Sequence, residues 1–449
     1  MKQPATDFSQ GSLKRHVLNQ AIPLTLAQLV QLLYNVVDRI YIGHMEGVGD
    51  LALTGLGITF PVIVIVAAFT GLFSTGGTTL FSIARGQQRE EEAKKILGTS
   101  FTLLTLGAAV LFLFFYNFRG RVLYLFGASP DSFAYAEPYL KIYLLGTLFS
   151  MWATGLNVFI SAQGFPKVGM LTTVLGAAIN IVLDPIFIFG LNMGVRGAAL
   201  ATILSQAVSA IWVLRFLLGK KAVTGLSRSS LNLKWSRLKP ILLLGIPGFV
   251  MQGTNSLVSI VCNNQLQAYG GDLYVGIMTV INSIREMTTL PVQGITHGCQ
   301  PVLGYNYGAK EFGRVKEGIR FIAVLGTIYT AVAWLLVMTF PKQLIGIFTA
   351  DGDIIEAGAN MLNIYFFGFV FMALQFTGQS TFQALGKARE AVFFSLLRKA
   401  FIVVPLTLLL PGLGFGVAGV FLAEPISNAI GGIACATTMY FTVYRKIDQ

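Results

Sequence analysis

Apolar residues run along this chain in blocks too long for the helices of a water-soluble core. Val62 to Phe69, Leu103 to Phe115, Ile181 to Phe189 and Phe401 to Leu410 are almost free of charge. With their flanks they reach about 20 residues, the length that crosses a ~30 Å hydrocarbon layer. A soluble helical core would need polar faces that these blocks lack. The pattern predicts an all-α polytopic membrane protein with twelve transmembrane helices, over 17–42, 51–83, 96–117, 138–162, 169–190, 197–218, 241–269, 273–306, 319–340, 360–384, 391–411 and 417–440.

Charge supports this reading and orients it. Charged residues make up 12% of the 449 positions, half of the roughly 25% usual in soluble chains. The formal net charge of +12 would raise nucleic acid as a partner in a soluble protein. Here the bases segregate by segment. With both termini in the cytoplasm, 22 Lys and Arg, from Lys2 and Arg228 to Lys446, fall inside and 4 outside (Arg119, Arg121, Arg196, Lys342). An odd number of spans would scramble that bias, so it is a topology signal and implies the lipid bilayer as partner, with no nucleic acid. Cys262, Cys299 and Cys435 lie in apolar stretches without metal-ligand spacing and read as inert buried thiols. The first apolar stretch is too long for a cleaved leader and reads as a retained helix.

The midpoint carries a basic segment, residues 219–240, and the two sides look like copies. An offset of 220 pairs Gln163 with Gln383, Lys167 with Lys387, Pro185 with Pro405 and Gly194 with Gly414. Near the start of each half, Ile22-Pro23 matches Ile246-Pro247 and Gln28 matches Gln252. This predicts an N-lobe over 1–218, a linker over 219–240 and a C-lobe over 241–449. An even number of spans per copy makes the repeats parallel, and transporters built this way bind substrate at the repeat interface. Prolines inside the spans, Pro23 and Pro185 among them, each free a backbone carbonyl and favour helices that bend.

Acidic groups in the spans are costly and point to function. Asp38 extends a polar stripe formed by Gln31, Tyr34 and Asn35 on one helix face. Asp184 shares a face with Asn180, and Pro185 beside it frees the carbonyl of Ile181. Two carboxylates, an amide and a carbonyl suit Na⁺; two carboxylates held close in a low dielectric also let one carry a proton at neutral pH. The offset leaves neutral residues opposite these: Val404 for Asp184, Ala400 for Asn180 and Cys262 for Asp38. An ion site needs its acids once, whereas a scaffold would repeat them. The plainer alternative is that Asp38 merely pairs with Arg39. Glu286, next to Arg285, either faces the cleft or neutralises a neighbour. Glu424 and His297 read as structural hydrogen-bonding groups, and Arg398-Lys399 is expected to snorkel to the inner surface. Gln252 and Asn255 are candidates for the cleft lining, opposite Gln28 and Gln31.

Several stretches resemble the MATE (multidrug and toxic compound extrusion) family, and in it the bacterial multidrug branch. They are Tyr34-Asn35-Val36-Val37-Asp38 with Gly43, Gly76-Gly77 with Ala84-Arg85-Gly86, the run Asn180 to Thr202, and the run Gln300 to Lys316. The resemblance covers essentially the whole chain, and the four stretches come in the right order. The resemblance implies two pseudo-symmetric six-helix lobes forming a V-shaped cleft, in a bacterial inner membrane, exporting small organic cations or drugs as a monomer in exchange for H⁺ or Na⁺. It implies a coupling site, a possible Na⁺ site, at Asp38, Asn180, Asp184 and Thr202. No ATP-binding loop or redox motif is visible in the sequence, so no enzyme activity and no cofactor beyond the coupling ion are expected. Gln252 stands where some members carry an acid, and His297 where the family usually has Gln. A flippase for lipid-linked oligosaccharide or cell-wall precursors is the alternative, but it would line its cleft with several bases and here mainly Arg285 offers itself. A channel or sensor is a third reading, disfavoured by the one-sided acid pair. The loop ARGQQREEEAKK lacks the paired arginines expected of a major-facilitator transporter.

Overall fold

The computed structural model describes residues 8–45, 47–348 and 352–447, with the side chains of Asp50 and Arg228 left aside. Lys2, one of the bases counted above, lies outside the described residues, and so does the side chain of Arg228. Helices dominate and no strand occurs among the described residues. We number the spanning helices α1 Leu13–Gly43, α2 Leu51–Gly86, α3 Glu90–Leu125, α4 Pro130–Leu145 with Thr147–Ala162, α5 Pro166–Gly190 and α6 Val195–Leu218. A continuous helical stretch, Trp235–Gly308, breaks at Gly271, whose φ of 70° and ψ of −167° no helix accommodates. We take it as α7 (235–270) and α8 (272–308). The remainder are α9 Phe312–Thr339, α10 Gly352–Phe366 with Phe369–Ala384, α11 Ala388–Leu413 and α12 Gly416–Tyr444. Each expected span falls within one of these twelve, apart from a single residue at the end of α9.

The helices are built inside out. Val324, Ile328, Val332 and Leu335 make an exposed apolar stripe along α9, as Val110, Leu113 and Phe114 do on α3. Water would penalise such faces; acyl chains do not. The protein is therefore a multi-pass membrane protein. The two sharp bends, 58° in α4 and 42° in α10, fall at Gly146 and at the Phe367–Gly368 step. Neither is at a proline, although Pro23, Pro61 and Pro425 lie inside helices.

Compactness divides the chain into two units. One takes in Pro23–Gly245, the other Phe8–Ile22 and Ile246 onward. In the first, Phe81, Leu97, Leu104, Leu140, Met151 and Phe159 form the central core. Here α2 and α7 touch backbone to backbone. A Cβ on Gly76 would land on the carbonyl oxygen of Ile241, and one on Gly245 on that of Leu72. In the second unit, Leu266, Ile281, Leu362, Phe366 and Phe421 form one core, and Phe8, Val17, Leu303, Ile319 and Phe382 another. Phe8 packs edge-on against Tyr305 and His16. Arg314 donates to the carbonyls of Phe8 at 2.8 Å and Gly11 at 2.9 Å, and Asn306 donates to that of Phe8 at 3.1 Å. The segment before α1 is thus strapped to the α8–α9 junction.

The repeat is real, but its register is 222 and not 220. Gly164 and Gly386 both have positive φ; so do Asn192 and Gly414, and Gly194 (56°) and Gly416 (52°). Each pair is 222 positions apart. At the same interval, a Cβ on Gly197 would strike the backbone of Phe187, and one on Gly419 that of Leu410. The shift changes the partners. Asn180 and Asp184 correspond to Ile402 and Leu406, still neutral. Thr202 corresponds to Glu424 and Tyr143 to Tyr365.

Candidate functional site

The first unit gathers the predicted coupling residues in its interior. Asp38 on α1 is 7% exposed, and Asn180 and Asp184 on α5 are fully buried. Asn180 Nδ2 donates to Asp184 Oδ1 at 3.3 Å and to Thr202 Oγ1, on α6, at 3.5 Å. The i, i+4 spacing of Asn180 and Asp184 puts both on one face of α5. Thr202 in turn donates to the carbonyl of Ala198 at 3.0 Å, so its hydroxyl proton is spoken for and its lone pairs face the site. The side chains of Asp38 and Asp184 lie near enough to interact directly. All four residues are brought together.

The oxygens are under-used. Asp38 Oδ1, Asp184 Oδ2 and Asn180 Oδ1 are buried without a hydrogen-bond partner. Such groups are rare, because each carries a desolvation penalty of about 1–3 kcal/mol or more. Arg39 does not meet the need. It is exposed, with its guanidinium carbon 5.9 Å from the centroid of the Phe60 ring. Oxygen donors from two carboxylates, an amide and a hydroxyl suit a hard monovalent cation or a shared proton. Among the described residues no group of three or more His, Cys, Asp or Glu side chains converges on one point.

A cavity of about 690 Å³ opens beside the site, lined by Gln31, Tyr34, Asn35, Asp38, Phe60, Tyr139, Tyr143, Thr202 and Gln206 among others. Its lining comes wholly from the first unit. The stripe Gln31–Tyr34–Asn35 lines this cavity. Asp38 and Thr202 reach both the cavity and the acid pair, whereas Asn180 and Asp184 do not line it. Sequence reasoning misses Tyr139 and Tyr143. They stack at 6.3 Å and 10°, both buried, and face Asp38 and Tyr34 from α4. A phenol in an apolar span needs a partner for its hydroxyl, and two at i, i+4 are the available signal.

The other candidates belong to the second unit. Gln252 and Asn255 are half-buried on α7, and Glu286 is exposed on α8. His297 takes one hydrogen bond with Gln300 at 3.2 Å, and Gln300 passes on to Gln383 at 2.9 Å. The snorkelling expected of Arg398 and Lys399 does not occur. Both are buried and both grip Glu424, which is a structural hydrogen-bonding group of a stronger kind than expected. A carboxylate within α12 offers a nearer end to the charge than the membrane surface does.

The MatE family model matches the chain twice, over residues 23–186 and 247–409. The chain belongs to the MatE family. Membership makes it a transporter-family protein, with the spans and repeat the family's fold requires. Among curated relatives, the multidrug export protein MepA of Staphylococcus aureus (strain MSSA476) is 25% identical over 445 residues, covering 98% of this chain and 96% of MepA. Among solved structures, the MATE multidrug transporter DinF-BH, captured in a ligand complex, is 34% identical, with a TM-score of 0.90 over 100% of this chain and 99% of that one. An outward-facing multidrug resistance MATE family transporter of the MOP superfamily has a TM-score of 0.93 at 21% identity, with both chains fully covered. That last likeness speaks to the fold alone.

Proposed function

We propose that this protein is a secondary multidrug exporter that expels cationic amphipathic compounds in exchange for H⁺ or Na⁺. The observation that carries the reading is the buried acid pair Asp38 and Asp184, which face one another with carboxylate oxygens that, among the described residues, accept no donor hydrogen bond. A carboxylate pair of this kind needs an exchangeable cation or a proton to be stable in an apolar interior. Asp38 and Thr202 also line the cavity, so an ion at the pair and a cationic guest in the cavity compete for the same charge. Names of relatives support the substrate class: MepA is a multidrug export protein, and DinF-BH is a multidrug transporter. Among the described residues Arg39 is the one basic residue lining the cavity, which offers the flippase reading no cluster of bases for a pyrophosphate.

In this scheme Asp38, Asn180, Asp184 and Thr202 hold the coupling ion. Gln31, Tyr34, Asn35, Gln252, Asn255 and Glu286 contact substrate. One charge moving through 100 mV supplies ~2.3 kcal/mol, enough for about a fifty-fold gradient. The lobes are 1–218 and 241–449 joined by 219–240, the protein works as a monomer, and it lies in a bacterial inner membrane with both termini cytoplasmic. The test is uptake of a cationic dye by proteoliposomes, with pH and sodium gradients imposed separately. Asp184→Asn is expected to abolish gradient-driven movement while inserting normally. Undiminished transport by that variant overturns the coupling role.

A further inference from the structure

The second unit holds a charge cluster that export through the acid pair leaves unused. Glu424 on α12, 4% exposed, stands at the register position of Thr202 on α6. Arg398 Nη1 donates to its Oε1 at 2.9 Å and to Asn428 Oδ1 at 2.8 Å. Lys399 Nζ donates to both Glu424 oxygens at 3.2 Å. Arg398 is 8% and Lys399 4% exposed. Both sit on a π-helical stretch of α11, Leu397–Val403; in α5 a π-helical stretch, Ile186–Gly190, begins two residues after Asp184. Short π-helical turns inside α-helices are frequent at functional sites.

The charges do not balance. Two cations share one carboxylate, leaving one positive charge in an apolar interior. Neighbouring elements do not cancel it. Arg285 on α8 adds a further positive charge, and its buried Nε has no hydrogen-bond partner. Glu286 beside it is exposed. Tyr365 on α10 and Cys262 on α7 face the cluster as a phenol and a thiol, the latter against Thr407 at 3.9 Å. An uncompensated buried charge costs several kcal/mol. Arginine keeps its proton in proteins, and Glu424 is already held by both bases. Lysine is the cation that yields its proton when buried. Its loss turns –NH₃⁺ into –NH₂ and one H⁺, and leaves Arg398–Glu424 as a neutral pair.

We propose that Lys399 is the proton-carrying group of a second ion site, in the second unit, opposite in chemistry to the first: an amine where the first has carboxylates. An amine of this kind takes H⁺ and offers Na⁺ no anionic oxygen of its own. The site is therefore selective for protons whichever ion the acid pair uses. Its part in a transport cycle rests on the export reading; its titration does not.

The experiment has two arms on the full-length protein. In lipid nanodiscs, ¹⁵N-lysine solid-state NMR is followed against pH, with Lys399→Met to assign the signal and Lys399→Arg to retain a fixed charge. One lysine signal is expected to change from ammonium to amine between about pH 6 and 9, as burial allows a lysine, and to vanish in both variants, with thermal melting near wild type for Lys399→Met and lowered for Lys399→Arg, which fixes the unbalanced charge. An ammonium signal for Lys399 throughout that range overturns the proposal. In proteoliposomes under an imposed pH gradient, Lys399→Arg is expected to lower the number of protons moved per substrate by one. An unchanged ratio overturns the role in the cycle. A wild-type protein that moves no substrate sinks the export reading and leaves the NMR arm to decide the proton site.

Discussion

Asn180 spends its amide on Asp184 and Thr202 at once, tying α5 to α6 while its own carbonyl oxygen accepts nothing. One side chain thereby fixes the carboxylate through its nitrogen and contributes a free oxygen. The two roles respond differently to substitution, so Asn180→Ala separates the candidate ions. For Na⁺, losing an oxygen and an orienting hydrogen bond to a charged group, about 1.5–3 kcal/mol, raises the half-saturating concentration roughly ten- to a hundred-fold. For H⁺, losing a donor to the carboxylate makes the proton harder to remove, so half-maximal exchange moves to lower proton concentration. Ion-titrated dye exchange in proteoliposomes reads the direction, and no shift either way would disconnect Asn180 from coupling.

The close approach of α2 and α7 gives a second expectation. Gly76→Ala and Gly245→Ala each drive a methyl group into a facing main-chain carbonyl, and backbone cannot step aside as a side chain does. Overpacking of this kind costs about 1–3 kcal/mol or more. Thermal melting in detergent should fall clearly for both. Gly248→Ala on the same helix meets nothing within 4 Å and should melt like wild type. Equal behaviour of all three would deny that contact.

The glycines that set the 222-residue register make a paired test. Gly194 and Gly416 both hold a φ that an alanine side chain resists, at a cost of roughly 1–2 kcal/mol. Gly194→Ala and Gly416→Ala are expected to destabilise by similar amounts, measured by thermal melting. A large loss at one and none at the other would mean that the two turns carry different structural loads.

Breaking the buried ion cluster should be worse than deleting it. Glu424→Gln strands Arg398, which unlike Lys399 cannot shed its charge, a loss of about 3–5 kcal/mol by precedent for buried pairs. Replacing Arg398, Lys399 and Glu424 together by methionine removes the charges along with their desolvation, and is expected to recover much of the stability. If the triple variant melts below the single one, the cluster stabilises by its own attraction.

The helices and the acid site are legible in the sequence because both rest on local or costly features. Apolar blocks announce spans, and Asp38 and Asp184 stand out because carboxylates are rare in such blocks. What escapes depends on geometry between distant helices. The register slips by two residues because Pro185 and Pro405 are similar without being equivalent, whereas a positive φ is visible only in the backbone. Arg398 and Lys399 read as snorkelling residues, since their partner lies 26 and 25 positions away on another helix. Tyr139 and Tyr143 are lost among abundant aromatics, because a count cannot tell a phenol in a cavity from one facing lipid.

The strap that Arg314 throws over Phe8 and Gly11 has a bearing on how the chain is made. Its two ends lie 306 positions apart for the Phe8 contact. At a ribosome speed of about 5–20 residues per second, Phe8 waits roughly fifteen seconds to a minute for the arginine that will hold it. Until then Phe8 has no ring from Tyr305 to lean on, and the segment around it is open to whatever factor meets it first.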